Sequence, residues 1–182
     1  RFETLPGQQA QNDWSSFEVE FVNGKRVVQL SNFVLSYSRK MHGSWYNRGI
    51  LPNLIDSHKR AFNAFGGLTA DFVYDNQKSV VAYRFKKEIV LNGKFQKFAE
   101  YYGFKPVLCT PYRPNSKGKI ERPFQYIEDD FVKGKIFKDK EDLNKKYEGW
   151  LDGIANKRVH GTTVSCTSPP RLPAIRLRNL RP

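Results

Sequence analysis

The chain has 182 residues, which is enough for one ordinary domain, and its 14 Phe, 9 Tyr and 3 Trp can supply a core. Lys and Arg number 31 against 18 Asp and Glu, so the net charge of +13 indicates a polyanionic partner such as nucleic acid, although a solvated basic surface or contact with anionic lipid are alternatives. Two widely separated cysteines, Cys109 and Cys166, argue against a disulfide framework and a zinc site, and no apolar run is long enough to span a membrane.

The first forty residues are predicted to form three antiparallel strands. After a polar lead-in over 1–11, residues 17–22 alternate apolar and polar side chains, as strands do. Asn23-Gly24 is a strong hairpin signal, and the return strand is predicted over 25–30. The third strand is predicted in the β-rich run over 32–38.

The remainder of the chain alternates between helices and short strands. A helix is predicted over 51–65, because Pro52 suits its first turn, apolar residues recur at helical spacing and Gly66 ends it. Further elements follow in the order strand 71–75, helix 93–102, strand 104–109, turn-rich loop 110–118, helix 119–132 and helix 140–155. The order β-β-β-α-β-α-β-α-α predicts an α/β domain with a mixed five-stranded sheet and helices on both faces.

Three carboxylates stand where this order of elements can bring them together. Asp13 is at the beginning of the first β region, Asp75 ends the fourth strand and Glu121 is at the start of a helix. Clustered carboxylates repel one another unless a cation intervenes, and Mg²⁺ prefers oxygen ligands. Two such ions ~3.5–4 Å apart activate the attacking oxygen and stabilise the leaving oxygen in a phosphoryl transfer.

The residues alone leave other interpretations of these acids open. Asp75 is also suited to a turn, and Glu121 is also the kind of acid that the dipole favours in the first turn of a helix. Glu18 and Glu20 are rivals of Asp13 for the position on the first strand.

Three segments, in this order along the chain, resemble the catalytic signature of transposases and retroviral-type integrases. They are Gln11-Asn-Asp-Trp14, Tyr74-Asp-Asn76 and the run Pro114-Asn-Ser-Lys-Gly-Lys-Ile-Glu-Arg122. Segments 2–11, 35–39 and 156–163 resemble more closely the IstA family, the transposases of bacterial insertion sequences. The resemblance covers about residues 1–163, and its most specific part is 117–122.

The resemblance implies an RNase H-like fold and a DDE-type polynucleotidyl transferase. In that family the residues that correspond to Asp13, Asp75 and Glu121 bind two Mg²⁺ ions, for which Mn²⁺ can substitute. The implied reaction is cleavage at the 3′ ends of a mobile element followed by strand transfer, in which the freed 3′-OH attacks target DNA. The implied partners are transposon-end and target DNA, further copies of the chain on paired ends and an ATPase helper protein, in the bacterial cytoplasm and at the nucleoid when bound to DNA.

Four residues near the predicted acids are candidates for contacts with DNA. Lys117, Lys119 and Arg122 flank Glu121 and are predicted to bind phosphates, with a solvated basic face as the alternative. Asn76 is predicted to orient Asp75 or a phosphate, with capping of the following segment as its alternative.

The catalytic core is predicted over 1–163 and a basic extension or linker over 164–182. The extension differs in composition, since residues 169–182 contain four Arg, four Pro and no acidic residue. Because position 1 is Arg and the family's helix-turn-helix region is missing, we expect the chain to be part of a longer protein. Two other functions stay open, a nuclease on the same fold that only hydrolyses and a non-catalytic DNA-binding or assembly module.

Overall fold

The computed structural model describes residues 4–85, 88–109 and 121–158, without the side chains of Arg84, Phe85, Glu121 and Arg122. The first half contains β1 (Gln9–Phe21), β2 (Gly24–Leu35), β3 (Met41–Tyr46), α1 (Leu51–Phe65), β4 (Asp71–Tyr74) and β5 (Val81–Phe85). The second half contains β6 (Glu88–Leu91), α2 (Gly93–Tyr102), β7 (Lys105–Leu108), α3 (Glu121–Tyr126), β8 (Ile136–Phe137) and α4 (Lys140–Gly153). The helix α3 continues as a π-helical segment, Ile127–Val132, and a 3₁₀ turn, Ala155–Lys157, follows α4.

The main sheet is mixed and has the strand order β3-β2-β1-β4-β7. β2 is antiparallel to both β1 and β3, whereas β4 is parallel to β1 and β7 is parallel to β4. A short sixth strand, β8, pairs with the far end of β1, and β5 with β6 forms a separate hairpin. The predicted α/β class with a mixed sheet of five principal strands is therefore confirmed.

Alternate residues of β1 enter two cores on opposite faces of the sheet. Ala10 packs in the core under α1 and α2, together with Phe62 and Phe95. Phe17 and Val19 pack in the other core, which the π-helical segment and α4 cover. Because successive strand residues point to opposite faces, each face of the long strand buries one set of apolar side chains, and helices lie on both faces.

The bounds predicted for the first strands are wrong in two places. β1 begins at Gln9, so the polar lead-in is shorter than predicted. The strand predicted over 25–30 and the first part of the one predicted over 32–38 form a single strand, β2, which ends at Leu35; residues 36–38 lie in a turn, and the third antiparallel strand is β3. The reason is that Ser31 and Asn32 are buried and hydrogen-bonded in the interior, so these polar residues continue the strand instead of interrupting it.

The predicted first and last residues of two helices agree with the structure, Leu51–Phe65 and Gly93–Tyr102. Gly66 and Gly103 end them in the left-handed conformation, with φ of 72° and 76°, as their sequence positions predict. The helix predicted over 119–132 is described from Glu121 and becomes π-helical at Ile127. The β5–β6 hairpin and β8 were not predicted, and two residues of β8 are too few to produce an alternating pattern.

Two predicted regions, the loop 110–118 and the extension 164–182, lie outside the described residues. The domain boundary at residue 163 therefore stays a prediction. Among the helices that the structure describes, none combines the length and the apolar character needed to cross a bilayer.

Candidate active site

Asp13 and Asp75 occupy neighbouring places at the centre of the sheet. β1 and β4 are parallel, with Asn12 opposite Tyr74, and the next residue along each chain is one of the two aspartates. Adjacent strands are about 4.8 Å apart, and both aspartates are half-buried. Strand pairing thus brings together two acids that are far apart in the sequence.

The two aspartates belong to the face of the sheet that α4 covers. Asp13 has the same parity along β1 as Phe17 and Val19, which pack in the core on that face. Tyr74 packs in the opposite core, so the alternation along the chain places Asp75 on the same face as Asp13.

The start of α3 lies over this same face. Phe124, in the first turn of the helix, has its ring centroid 6.2 Å from that of Phe17. Phe17 lies on β1, four residues beyond Asp13. Glu121 is the first residue of α3. Since its side chain is outside the described part, its approach to the two aspartates stays a prediction.

Glu18 and Glu20 do not take the place of Asp13. They are five and seven residues further along β1, which at ~3.3 Å per residue is roughly 16–23 Å away. Both are exposed, and Glu18 pairs with Lys25 at 3.1 Å. Among these three acids, Asp13 is the one beside Asp75.

The hydrogen bonds at the two carboxylates suit a site for a hard cation. The backbone N–H of Trp14 donates to Asp13 Oδ1 at 2.9 Å, and the backbone N–H of Asn76 donates to Asp75 Oδ1 at 2.9 Å. These bonds orient the two carboxylates, and carboxylate oxygens are the ligands that Mg²⁺ prefers. The described side chains contain no group of three acidic, His or Cys residues that could hold a metal, and a third ligand from Glu121 stays a prediction.

The predicted DNA-contact residues are only partly described. The side-chain amide of Asn76 donates to the Cys109 carbonyl at 3.4 Å, which links the residues that follow β4 and β7. Arg122 is the second residue of α3, and its side chain is outside the described part, as are Lys117 and Lys119 altogether. Their contacts with DNA stay predictions.

Sequence reasoning missed the buried polar residues that stand behind the two aspartates. Asn12 donates from Nδ2 to Ser31 Oγ at 3.0 Å, and the Tyr74 hydroxyl lies 2.7 Å from His58 Nε2. The sequence predicts no role for Asn12, Ser31 or His58 at the site. No local signal marks Asn12, which stands between the polar residues Gln11 and Asp13.

More than half of the chain matches a known protein family. Residues 3–114 match the family described as Integrase core domain. The chain belongs to the integrase core domain family. This match includes Asp13 and Asp75 and ends before Glu121.

Several relatives of this integrase core chain are transposases of insertion sequences. It is 40% identical over 165 residues to a putative transposase for insertion sequence element IS5376 of Geobacillus stearothermophilus, covering 90% of this chain and 41% of that protein. It is 35% identical over 159 residues to the transposase for insertion sequence element IS640 of Shigella sonnei, covering 87% and 50%. The chain thus spans half or less of the length of these curated relatives, and the predicted resemblance to insertion-sequence transposases is confirmed.

Solved structures with the same fold come from retroviral integrases. A chain of the simian T-cell lymphotropic virus intasome, in complex with a PP2A regulatory subunit, superposes with a TM-score of 0.61 at 20% identity, covering 88% of this chain and 53% of that chain. The HTLV-2 integrase catalytic core domain, in a dimeric form in complex with magnesium, superposes with a TM-score of 0.52 at 19% identity, covering 68% and 69%. These likenesses confirm the RNase H-like fold.

Proposed function

We propose that this chain is the catalytic core of a DNA transposase that cleaves the 3′ ends of a mobile element and joins them to target DNA. The observation that carries this proposal is the placement of Asp13 beside Asp75, on the face where α3 begins at Glu121. The similarity to insertion-sequence transposases supports it.

Asp13, Asp75 and Glu121 are the proposed ligands of two Mg²⁺ ions, for which Mn²⁺ can substitute. Bound there, the ions would activate the attacking oxygen and stabilise the leaving oxygen of an in-line phosphoryl transfer. The contribution of the chain is to hold two carboxylates on adjacent strands at a fixed spacing, so that little reorganisation is needed when a phosphodiester binds.

Basic residues near the site are proposed to hold the DNA backbone. Lys117, Lys119 and Arg122 flank Glu121 in the sequence, and the net charge of +13 attracts DNA over a longer range. Asn76 is exposed beside Asp75 and can contact a phosphate there. These residues are thus proposed to bind phosphates beside the proposed acidic centre, which would bind the metal ions.

The complete protein is proposed to be longer than this chain and to act as an assembly. We infer that several copies assemble on paired transposon ends, that an ATPase helper takes part, and that the DNA-bound assembly lies at the bacterial nucleoid. The length of the relatives supports a longer protein, because the chain covers 41% and 50% of the two proteins compared.

The proposed reaction is tested with donor DNA that carries a transposon end. The protein is incubated with uncleaved or pre-cleaved donor, a target plasmid and Mg²⁺ or Mn²⁺, with its helper if needed. We expect 3′-end cleavage of the uncleaved donor and covalent joining of a 3′-OH donor strand to the plasmid. Cleavage without any joined product would identify a hydrolysis-only nuclease, and absence of both with DNA binding intact would identify a binding module.

The DNA affinity is expected to fall steeply with salt, because each phosphate that the protein neutralises releases counterions. Replacing Lys117, Lys119 or Arg122 with Ala should weaken binding and reduce the slope of log K against log salt by about 1 for each lost contact. Lys25→Ala is a matched control, since Lys25 lies on β2 and pairs with Glu18, away from Asp13. A titration in which all three variants keep the wild-type slope would contradict their role as phosphate ligands.

A further inference from the structure

One carbonyl group in α1 anchors two chains of buried hydrogen bonds. The Leu54 carbonyl accepts from Ser57 Oγ at 2.9 Å and from His58 Nδ1 at 2.7 Å. Ser57 and His58 are adjacent in the sequence and buried, with exposures of 1% and 0%. From this point the two chains diverge, and each reaches one of the strands that carry the aspartates.

The first chain runs from Ser57 to Asn12, the residue before Asp13. Ser31 Oγ lies 2.9 Å from Ser57 Oγ, and Asn12 Nδ2 donates to Ser31 Oγ at 3.0 Å. Since the Ser57 hydroxyl donates to the Leu54 carbonyl, the Ser31 hydroxyl donates to Ser57. All protons along the chain thus point toward α1, and Asn12 is held at its far end.

The second chain runs from His58 to Tyr74, the residue before Asp75. Because Nδ1 donates to a carbonyl, Nε2 of the neutral ring is an acceptor, and the Tyr74 hydroxyl donates to it at 2.7 Å. Burial lowers the pKa of His58 to about 4, which keeps the ring neutral near pH 7. The ring is also fixed by aromatic neighbours, with Phe104 stacked at 5.7 Å and Phe33 edge-on at 4.7 Å.

Gln77 adds a direct link between the two strand ends. Its backbone N–H donates to the Asp75 carbonyl at 2.7 Å, and its side-chain amide donates to Asn12 Oδ1 at 3.4 Å. The residue before one aspartate is therefore connected to the backbone of the other aspartate. Together with the two chains from α1, this link closes a buried network behind the carboxylate pair.

We propose that Ser57 and His58 are positioning residues, which hold Asn12 and Tyr74 and thereby set the spacing of Asp13 and Asp75. This inference rests on the proposed function, since it concerns the two proposed metal ligands. The physical reason is that neighbouring residues of a strand share one rigid backbone. A lateral shift of Asn12 or Tyr74 thus moves the aspartate that follows it, although the network lies on the opposite face of the sheet.

The alternative is that the network only stabilises the core, and two variants separate these roles. Tyr74→Phe leaves His58 Nε2 buried without its donor, so the melting temperature should fall. Combining Tyr74→Phe with His58→Leu removes both polar groups, so much of the melting temperature should return. If the network positions the aspartates, metal affinity stays low in the double variant even though stability recovers.

The test measures the affinity of the 182-residue chain for Mn²⁺ by electron paramagnetic resonance, beside its melting temperature. We expect the Kd for Mn²⁺ to rise about 10–100-fold in both the single and the double variant, the range typical of residues that orient metal ligands. Ser31→Ala, a smaller change that removes the hydroxyl between Ser57 and Asn12, should also raise the Kd for Mn²⁺. It keeps the test decisive if the double variant does not fold.

The matched control is Asn144→Ala, in α4, whose side chain binds β3 and not the strands next to the aspartates. Asn144 Oδ1 accepts from the Trp45 backbone N–H at 2.8 Å, and its amide donates to the Trp45 carbonyl at 3.2 Å. This variant should lower the melting temperature without changing the affinity for Mn²⁺. It shows whether lost stability by itself weakens metal binding.

The results that overturn the inference differ from those that overturn the proposed function. If Asp75→Asn binds Mn²⁺ as tightly as the wild type, the proposed metal site is wrong, and the positioning role fails with it. If Asp75→Asn weakens binding but the folded double variant and Ser31→Ala both bind like the wild type, only the positioning role is wrong.

Discussion

Glu121→Gln is expected to reduce both 3′-end cleavage and strand transfer by at least ~10²–10³-fold, while the fold and DNA affinity remain near those of the wild type. The amide is almost the same size as the carboxylate, so packing at the start of α3 should not change. It lacks the negative charge, so it is a poor ligand for Mg²⁺ and would leave the proposed metal pair incomplete. The joining assay described above, with uncleaved and pre-cleaved donors, measures both steps.

A chemically identical change nearby provides the control. Glu128→Gln alters an exposed acid in the π-helical segment that continues α3, and both activities should stay at the wild-type level. Normal joining by Glu121→Gln would exclude the three-carboxylate mechanism. A melting curve accompanies each variant, because loss of joining supports a catalytic role only if the protein remains folded.

Asp75→Asn should cause a loss of similar size, because both acids serve one metal assembly. For the same reason, the double variant with Glu121→Gln should be little worse than either single variant. Asp71→Asn is the control for Asp75→Asn, since Asp71 begins β4 and Asp75 directly follows the other end of that strand. Additive losses in the double variant would indicate that the two acids act independently.

The second large effect is expected on acidification, at His42 and His58. Burial lowers the pKa of both side chains from 6.5 to about 4, and the positive charge of Arg60 contributes at His42. In the unfolded chain the histidines regain their ordinary pKa, so between pH 6.5 and 4 the unfolded state binds more protons. The stabilising effect is therefore fully present above pH 6.5 and is lost as the pH falls toward 4.

Between pH 7 and pH 5, each histidine should lower the free energy of unfolding by roughly 2 kcal/mol. Urea unfolding at the two pH values measures this difference. His42→Gln cannot take up the proton, so about half of the decrease should disappear, and the variant with His58→Leu and Tyr74→Phe should remove the other half. Equal stability of the wild type at both pH values would show that neither histidine is buried in its neutral form in solution.

Several features of the protein could be predicted from the sequence because they depend on neighbouring residues. The helices over 51–65 and 93–102 end at Gly66 and Gly103, which adopt a left-handed conformation that has no steric cost for glycine. The excess of positive charge likewise requires no knowledge of the fold. The resemblance to insertion-sequence transposases depended on short segments whose order along the chain is sufficient to recognise the family.

Other features depended on which segments pair, and the sequence pattern was insufficient or misleading there. The predicted strands left a gap at Ser31, but the Ser31 hydroxyl accepts from the Asn12 amide, which also donates to the Asn32 backbone carbonyl, and β2 is continuous. No local pattern predicts such a bond, since Asn12 and Ser31 meet only when β1 and β2 pair.

The sequence by itself determined the class of the domain, its principal helices, its charge and the short list of candidate acids. Only the tertiary structure decided that Asp13, and neither Glu18 nor Glu20, stands beside Asp75, and that His58 and Ser57 lie behind them. The physical reason is that strand register is set by contacts among β1, β4 and α1, which are remote in sequence. A register shift of one residue would turn every side chain of β1 to the other face.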